Sequence, residues 1–110
     1  DGFDFDVEGG IWCTSVVSNR IVRINPDGSQ INVFDGSDLN TVSTAEEAYQ
    51  NGTYTREHLV AGNESILGNC ASIGFGGPDL KTAFIGSLAS DRIAAFRSPV
   101  AGITPPHWNF

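Results

Sequence analysis

The sequence predicts an all-β protein that contains two copies of one unit of short antiparallel strands. Hydrophobic residues make up 40% and charged residues 17% of the 110 residues, which is ordinary for a globular protein. The 13 glycines and the scarcity of helix-forming runs favour short strands joined by tight turns. The third observation is an internal repeat, because self-similarity at a fixed spacing indicates stacked copies of one structural unit.

The repeat relates the first third of the chain to its last third, at a spacing of about 70 residues. The aligned segments read as a strand, a turn, a second strand that ends in serine, and a third strand: Phe5 with Phe75, 11–15 with 83–87, and 18–24 with 90–96. A proline and a glycine follow the third strand in each copy. The two copies are therefore expected to fold in the same way.

Four strands are predicted in the first copy, at residues 3–6, 11–15, 20–25 and 30–34. The run Asn25-Pro26-Asp27-Gly28 predicts a β-turn before the last strand, because proline presets φ and glycine accepts a positive φ. Four antiparallel strands per unit are typical of a β-propeller blade. We therefore predict that each copy is one four-stranded propeller blade.

The predicted blades are separated by a polar insertion. We expect a single propeller domain with its first blade at residues 1–34, the insertion at 35–63 and the second blade at 64–110. Within the insertion, residues 43–46 (Ser-Thr-Ala-Glu) match a capping box, which predicts a short helix that runs to about Gln50. Asn51-Gly52 predicts its end. The insertion is expected to cross one face of the ring.

The charge of the chain argues against two classes of partner. The formal net charge is −7, and the six basic residues are scattered. Binding to nucleic acid or to an anionic membrane is therefore not expected. No apolar run reaches membrane-spanning length and no secretory pattern opens the chain, so we predict a cytoplasmic protein. Because the chain begins at Asp1 and contains no Met, we expect it to be part of a longer protein.

Surface or packing roles are predicted for the two cysteines, the two histidines and the two tryptophans. Cys13 and Cys70 lie in apolar, strand-like segments and are interpreted as buried free thiols, with one disulfide as the alternative. Neither histidine has a partner at metal-ligand spacing, so surface or packing roles are expected for His58 and His107. The two tryptophans, Trp12 and Trp108, are expected to pack between blades.

Three segments, in order, resemble the gluconolactonase/regucalcin-like family, also called the senescence-marker lactonase family. The first, residues 1–12, contains Asp-Gly, a short strand, Asp-x-Glu-Gly and Ile-Trp, and residues 19–28 match the segment that follows it in the family. Residues 75–82 are similar to a second recurring motif. The stretch from Arg97 through Trp108 resembles the C-terminal tail of bacterial members. The resemblance covers nearly the whole chain.

The resemblance implies the C-terminal third of a six-bladed propeller that opens sugar lactones with one divalent cation, such as Ca, Zn, Mn or Mg. In the family the cation is bound by a Glu near the N-terminus, an Asn in mid-chain and the Asp of the Asp-Gly motif, which here is Asp1. Asp1 is accordingly the predicted metal ligand and catalytic residue. A role as ligand is favoured over general base, because a bound cation lowers the pKa of a carboxylate.

Combining the resemblance with the repeat suggests substrate-binding residues. If Phe75 takes the place of Phe5, then Ala71 corresponds to Asp1. Asn69, Cys70 and Ala71 are then predicted to line the channel beside the cation and to contact the lactone. The alternative is that these three are structural turn residues.

A second function stays open at this point. A propeller of the same fold can be a non-catalytic module that binds divalent cations or other proteins, since fold does not settle function. The partners expected are a small lactone and the N-terminal blades of a longer protein, or a second copy in a strand-exchanged homodimer. Two blades rarely stand alone, because repeat architectures usually need three or more units.

Overall fold

The computed structural model describes residues 1–109, and within them seven strands form two antiparallel sheets. The first sheet contains four strands in sequence order: β1 (Phe3–Phe5), β2 (Ile11–Ser15), β3 (Arg20–Ile24) and β4 (Gln30–Asp35). The second contains three: β5 (Cys70–Gly76), β6 (Thr82–Ser87) and β7 (Ala94–Arg97). The prediction of a mainly β fold with antiparallel strands joined by tight turns is confirmed.

Strand register reproduces the repeat in the sequence. Phe5 lies opposite Ile11 in the first sheet, and the aligned pair in the second sheet is Phe75 and Ala83. The next strand pair agrees as well, since Ile11 faces Ile24 just as Ala83 faces Phe96. The two units therefore have the same three-strand core, with corresponding side chains on corresponding faces.

The fourth strand predicted for the second unit is not found within residues 1–109. After β7 the chain turns back to the first unit: Val7 N donates to Ala101 O (2.9 Å) and Ile103 N donates to Phe5 O (2.9 Å). Two prolines follow, Pro105 and Pro106, and proline has no N–H to donate to a ladder. The prediction of four strands was therefore wrong for this unit.

The insertion contains two helices, and the first begins earlier than predicted. Helix α1 spans Leu39–Gln50, and the side chain of Asp38 caps it by accepting from Thr41 N (2.7 Å). The capping box predicted at 43–46 is wrong, because these residues lie inside the helix. Its end is confirmed: Asn51 is the C-cap, and Gly52 has a φ of +69°.

A second, five-residue helix was missed. Helix α2 spans Arg56–Val60, and Thr55 N donates to His58 Nδ1 (3.0 Å) at its start. His58 also stacks on Tyr54 (ring centroids 5.6 Å apart), so its predicted packing role is confirmed. His107 is exposed, in the short 3₁₀ helix η1 (Pro106–Asn109), as predicted for a surface residue.

The core lies between the two sheets. Trp12 is 1% exposed; its ring meets Phe75 edge-on (centroids 5.4 Å apart) and lies 6.3 Å from Phe96. Packing of Trp12 between the sheets is thus confirmed. Trp108 is 56% exposed, so the corresponding prediction for it was wrong. The residue lies in η1, beyond the strands that build the sheets.

Candidate functional site

The site predicted from the sequence centres on the first residues of two edge strands. β1 is an edge of the first sheet, β5 is an edge of the second, and the two strands lie side by side. Gly2 N donates to Ala71 O (2.9 Å), and Phe75 N donates to the Asp4 carboxylate (3.3 Å). These bonds place Ala71 beside Asp1, two positions that the repeat aligns.

Gly2 permits this close approach. A Cβ atom at Gly2 would lie 2.7 Å from Ala71 O and 2.7 Å from the Cα of Ser72, and both are backbone atoms that cannot swing aside. The same glycine also pairs with β2, because Thr14 N donates to Gly2 O (2.9 Å) and Gly2 N donates to Thr14 Oγ1 (3.1 Å). The Asp-Gly pair therefore places Asp1, an exposed residue, where the two sheets meet.

Asn69 is held inside the molecule. Its side chain is fully buried, and its Nδ2 donates to Val16 O and to Leu59 O, both at 3.1 Å. Its backbone N–H donates to Asn19 Oδ1 (2.7 Å). Asn69 and Asn19 have φ values of +62° and +48°, a region that asparagine enters more readily than most residues. Asn69 thus ties the insertion to the first sheet, and a contact with substrate stays a prediction.

The Cys70 side chain also points inward. Its Sγ contacts Ser15 O (3.5 Å) and Arg20 O (3.4 Å), and burial raises the pKa of the thiol. Cys70 is a buried free thiol, as predicted, and Cys13 is a free thiol that is half-buried. The alternative of a disulfide is wrong. Ala71 is half-buried, so it is the one of the three predicted substrate contacts with accessible surface beside Asp1.

Asp6, just after β1, has a buried carboxylate, and its ion pair with Arg23 was not predicted from the sequence. The residue is 2% exposed, and its carboxylate accepts four hydrogen bonds, from Glu8 N, Gly10 N, Trp12 Nε1 and Arg23 Nε, all between 2.7 and 2.9 Å. Burial raises the pKa of Asp6, but these bonds together outweigh burial and lower it to about 2. Asp6 is therefore charged at neutral pH and anchors the surrounding turn.

The two glycines after Asp6 make room for that anchor. Gly9 has a φ of +81°, and a Cβ at Gly10 would lie 2.5 Å from both the Asp6 carboxylate and Arg23 Nε. Arg23 also reaches Glu8, at 3.1 Å. The Asp-x-Glu-Gly-Gly stretch thus builds a rigid turn around an ion pair. This turn follows β1, and Asp1 lies two residues before the start of the same strand.

A complete metal site does not arise from the described residues. Within residues 1–109, no three or more His, Cys, Asp or Glu side chains are grouped so as to hold a metal ion. Asp1 is an oxygen donor of the type that hard cations prefer, but here it is a single ligand. The coordination shell that the family resemblance implies is therefore not supplied by this part of the chain, and no catalytic step follows from its geometry.

Comparison with known proteins adds no assignment. No model of a protein family matches the chain, and no curated protein matches it. No helix in the described part of the chain is long and apolar enough to cross a membrane.

Proposed function

We propose that this chain forms two neighbouring blades of a β-propeller that hydrolyses sugar lactones with the help of a divalent cation. The observation that supports this best is the position of Asp1. Asp1 is exposed and lies just before β1, and Gly2 holds this part of the backbone beside Ala71 of the neighbouring edge strand. In a propeller, the first strand of each blade lies beside the central channel. Asp1 comes directly before the first strand of its blade, so it would face that channel.

The proposal assigns distinct roles to the residues at this edge. When bound, a divalent cation polarises the lactone carbonyl and stabilises the oxyanion that forms. Asp1 supplies one oxygen ligand, and Gly2 and Thr14 hold its backbone in register. The remaining ligands come from blades outside this chain. The substrate contact proposed for Asn69 and Cys70 requires these buried side chains to move, whereas Ala71 needs no movement.

The test is the hydrolysis of gluconolactone by this chain alone and by the chain assembled with the blades that complete the ring, with Mn²⁺, Ca²⁺, Zn²⁺ or Mg²⁺. We expect activity in the assembly only. Asp1→Asn should lower both the activity and the Mn²⁺ affinity measured by calorimetry. The loss should be at least about 10–100-fold, the range seen when groups that merely support a metal ligand are removed.

Asp91→Asn is the matched control, because Asp91 is exposed in the second unit. It removes the same charge and should leave activity and affinity unchanged. Activity of a monomer of this chain would contradict the assignment of the site, since one copy would then hold a full ligand set. An assembled but inactive ring that responds to no metal would contradict lactone hydrolysis.

A non-catalytic interaction module is the second candidate. Large apolar side chains on the outer faces of both sheets favour it, among them Phe3 (61% exposed) and Phe84 (44% exposed), because exposed apolar patches often mark interaction surfaces. Cation binding by the complete ring without turnover of any lactone would support this candidate. The cytoplasmic location stays a prediction.

A further inference from the structure

Each sheet buries one face against the other and leaves its second face uncovered in this chain. The uncovered face of the first sheet is apolar across three strands, β1 to β3. Its side chains, which share a face by their register, are Phe3, Phe5, Ile11, Cys13, Val22 and Ile24. Phe3 is 61% and Phe5 is 42% exposed, so this face presents projecting aromatic side chains to solvent.

The uncovered face of the second sheet has a different relief. Most of its positions carry small residues, namely Ser72, Gly74, Gly76, Gly86 and Ala95. Phe84 is the large apolar side chain among them; it is 44% exposed and lies over Gly76, whose Cβ would be 2.9 Å from its ring. Thr82 and Arg97 share this face at one end, where Arg97 bonds to Thr82 and Asp79. Away from that end, the face is flat except for Phe84.

The repeat shows what such faces bind. Within the chain, Trp12 of the first sheet packs against Phe75 and Phe96 of the second. The repeat aligns Trp12 with Phe84, Phe75 with Phe5, and Phe96 with Ile24. Each uncovered face is thus the counterpart of a face that is already buried between the two sheets.

We propose that copies of this chain associate head to tail through these faces, with Phe84 of one copy packing against Phe5 and Ile24 of the next. The contact would repeat the packing of the two sheets within the chain, so each added copy continues an existing interface. An interface of this kind joins two different surfaces, and it closes into a ring when the rotation between copies allows. The inference rests on strand register and is independent of lactone hydrolysis.

Charge sets the conditions under which association is expected. Each copy has a formal net charge of −7, so like charges repel when copies approach. Salt screens such repulsion, with a Debye length of about 8 Å at physiological ionic strength. The side chains that would meet in the contact, Phe84 with Phe5 and Ile24, are apolar, so their packing is not weakened by screening. Association should therefore strengthen as the salt concentration rises, unlike an assembly held by ion pairs.

The experiment measures mass in solution by sedimentation equilibrium at micromolar concentrations. The unmodified chain should have the mass of two or more copies. Phe5→Asp and Phe84→Asp should each be monomeric, because each damages one side of the only contact. Mixed in equal amounts, they should form a dimer and stop there, since the first variant keeps an intact Phe84 face and the second keeps an intact Phe5 face.

Leu39→Asp is the matched control, because Leu39 is 75% exposed on α1, outside both faces. It adds the same charge and should leave the assembly intact. Near-ultraviolet circular dichroism in the tryptophan region, to which buried Trp12 and exposed Trp108 contribute, should be unchanged in all three variants, which shows that each is folded.

Three results would overturn the proposal. A monomeric unmodified chain at high salt would mean that other blades of a longer chain, and not a second copy, cover these faces. Assembly that survives Phe5→Asp or Phe84→Asp would place the contact elsewhere. A mixture of the two variants that stays monomeric, although the unmodified chain assembles, would mean that the Phe5 face and the Phe84 face do not bind each other.

Discussion

Asp6 links the sequence motif at the start of the chain to the stability of the first sheet. Its carboxylate is buried and accepts bonds from a guanidinium, an indole and two backbone N–H groups. A buried carboxylate without such partners would be protonated near neutral pH. Here the pKa is lowered to about 2 from the ordinary 3.8, so the charged form is the one that the fold stabilises.

Replacing Asp6 should therefore reduce stability in a pH-dependent way. A pKa of about 2 in the folded state and 3.8 in the unfolded state corresponds to about 2 kcal/mol of stabilisation by the ionised group. Because the folded pKa is the lower one, this stabilisation is present above pH 3.8 and is lost as pH falls toward 2. We expect Asp6→Asn to lower the free energy of unfolding in urea at pH 7 by at least about 2 kcal/mol, and by less at pH 3.

Asp79 provides the comparison. It pairs with Arg97 at the surface and its pKa is also about 2, but 48% of its side chain is exposed. Exposed ion pairs contribute little because water screens them. Asp79→Asn should therefore leave the urea midpoint nearly unchanged at pH 7. Equal losses for the two variants would show that the burial of Asp6 does not matter.

At the scale of single elements, the strands could be predicted much better than the helices. All four strands of the first sheet were predicted to within one residue at each end, since turns such as Asn25-Pro26-Asp27-Gly28 separate them. Helix α1 begins at Leu39 because a lone Asp38 caps it. The Ser-to-Glu pattern at 43–46 is a more conspicuous cap signal but falls within the helix. Helix α2 has only five residues, too few for a periodic pattern.

The candidate site was predictable only where the repeat applied. Aligning Phe5 with Phe75 was enough to place Ala71 next to Asp1. The burial of Asn69 was not predictable, since it depends on Asn19, which lies 50 residues earlier in the chain. The role of Asp6 likewise depends on Arg23 from another strand. Such partners are set by tertiary packing, which a motif does not encode.

The cap of α1 can be tested by hydrogen exchange. Asp38→Ala removes the acceptor for Thr41 N, so the Thr41 amide should exchange faster and the first turn should fray. Asp38→Asn should restore protection, because asparagine is an equally good N-cap. Ser43→Ala should leave the first turn unaffected. Faster exchange after Ser43→Ala, with no effect of Asp38→Ala, would mean that the helix begins at the capping box predicted at residues 43–46 and not at Asp38.

At the scale of the whole molecule, the two sheets are joined into one body by side-chain packing in the core and by hydrogen bonds at the edges. Trp12 anchors the middle of the interface between Phe75 and Phe96. The start of the first sheet and the neighbouring edge strand β5 are joined by the hydrogen bond from Gly2 to Ala71, and the bond from Asn69 to Asn19 joins the sheets at one end. We call the edge at Gly2 and Ala71 the inner edge. Because Asp1 lies on this inner edge, the geometry of its site depends on how closely the sheets approach.

Gly2→Ala tests that dependence. The added Cβ would meet the backbone of Ala71 and Ser72 at 2.7 Å, so β1 must move away from β5. Overpacking of this kind costs about 1–3 kcal/mol, and the separation should also change the near-ultraviolet circular dichroism of Trp12. In a completed ring it should weaken Mn²⁺ binding without removing the Asp1 carboxylate.

Gly74→Ala is the matched control, since no atom lies within 4 Å of the Cβ it would add; it should leave the fold and the Trp12 signal unchanged. Because Gly74 lies on the uncovered face of the second sheet, any effect of this control should appear only in the mass of the assembly. A change in the Trp12 signal with Gly74→Ala, or none with Gly2→Ala, would mean that the inner edge does not set the spacing of the sheets.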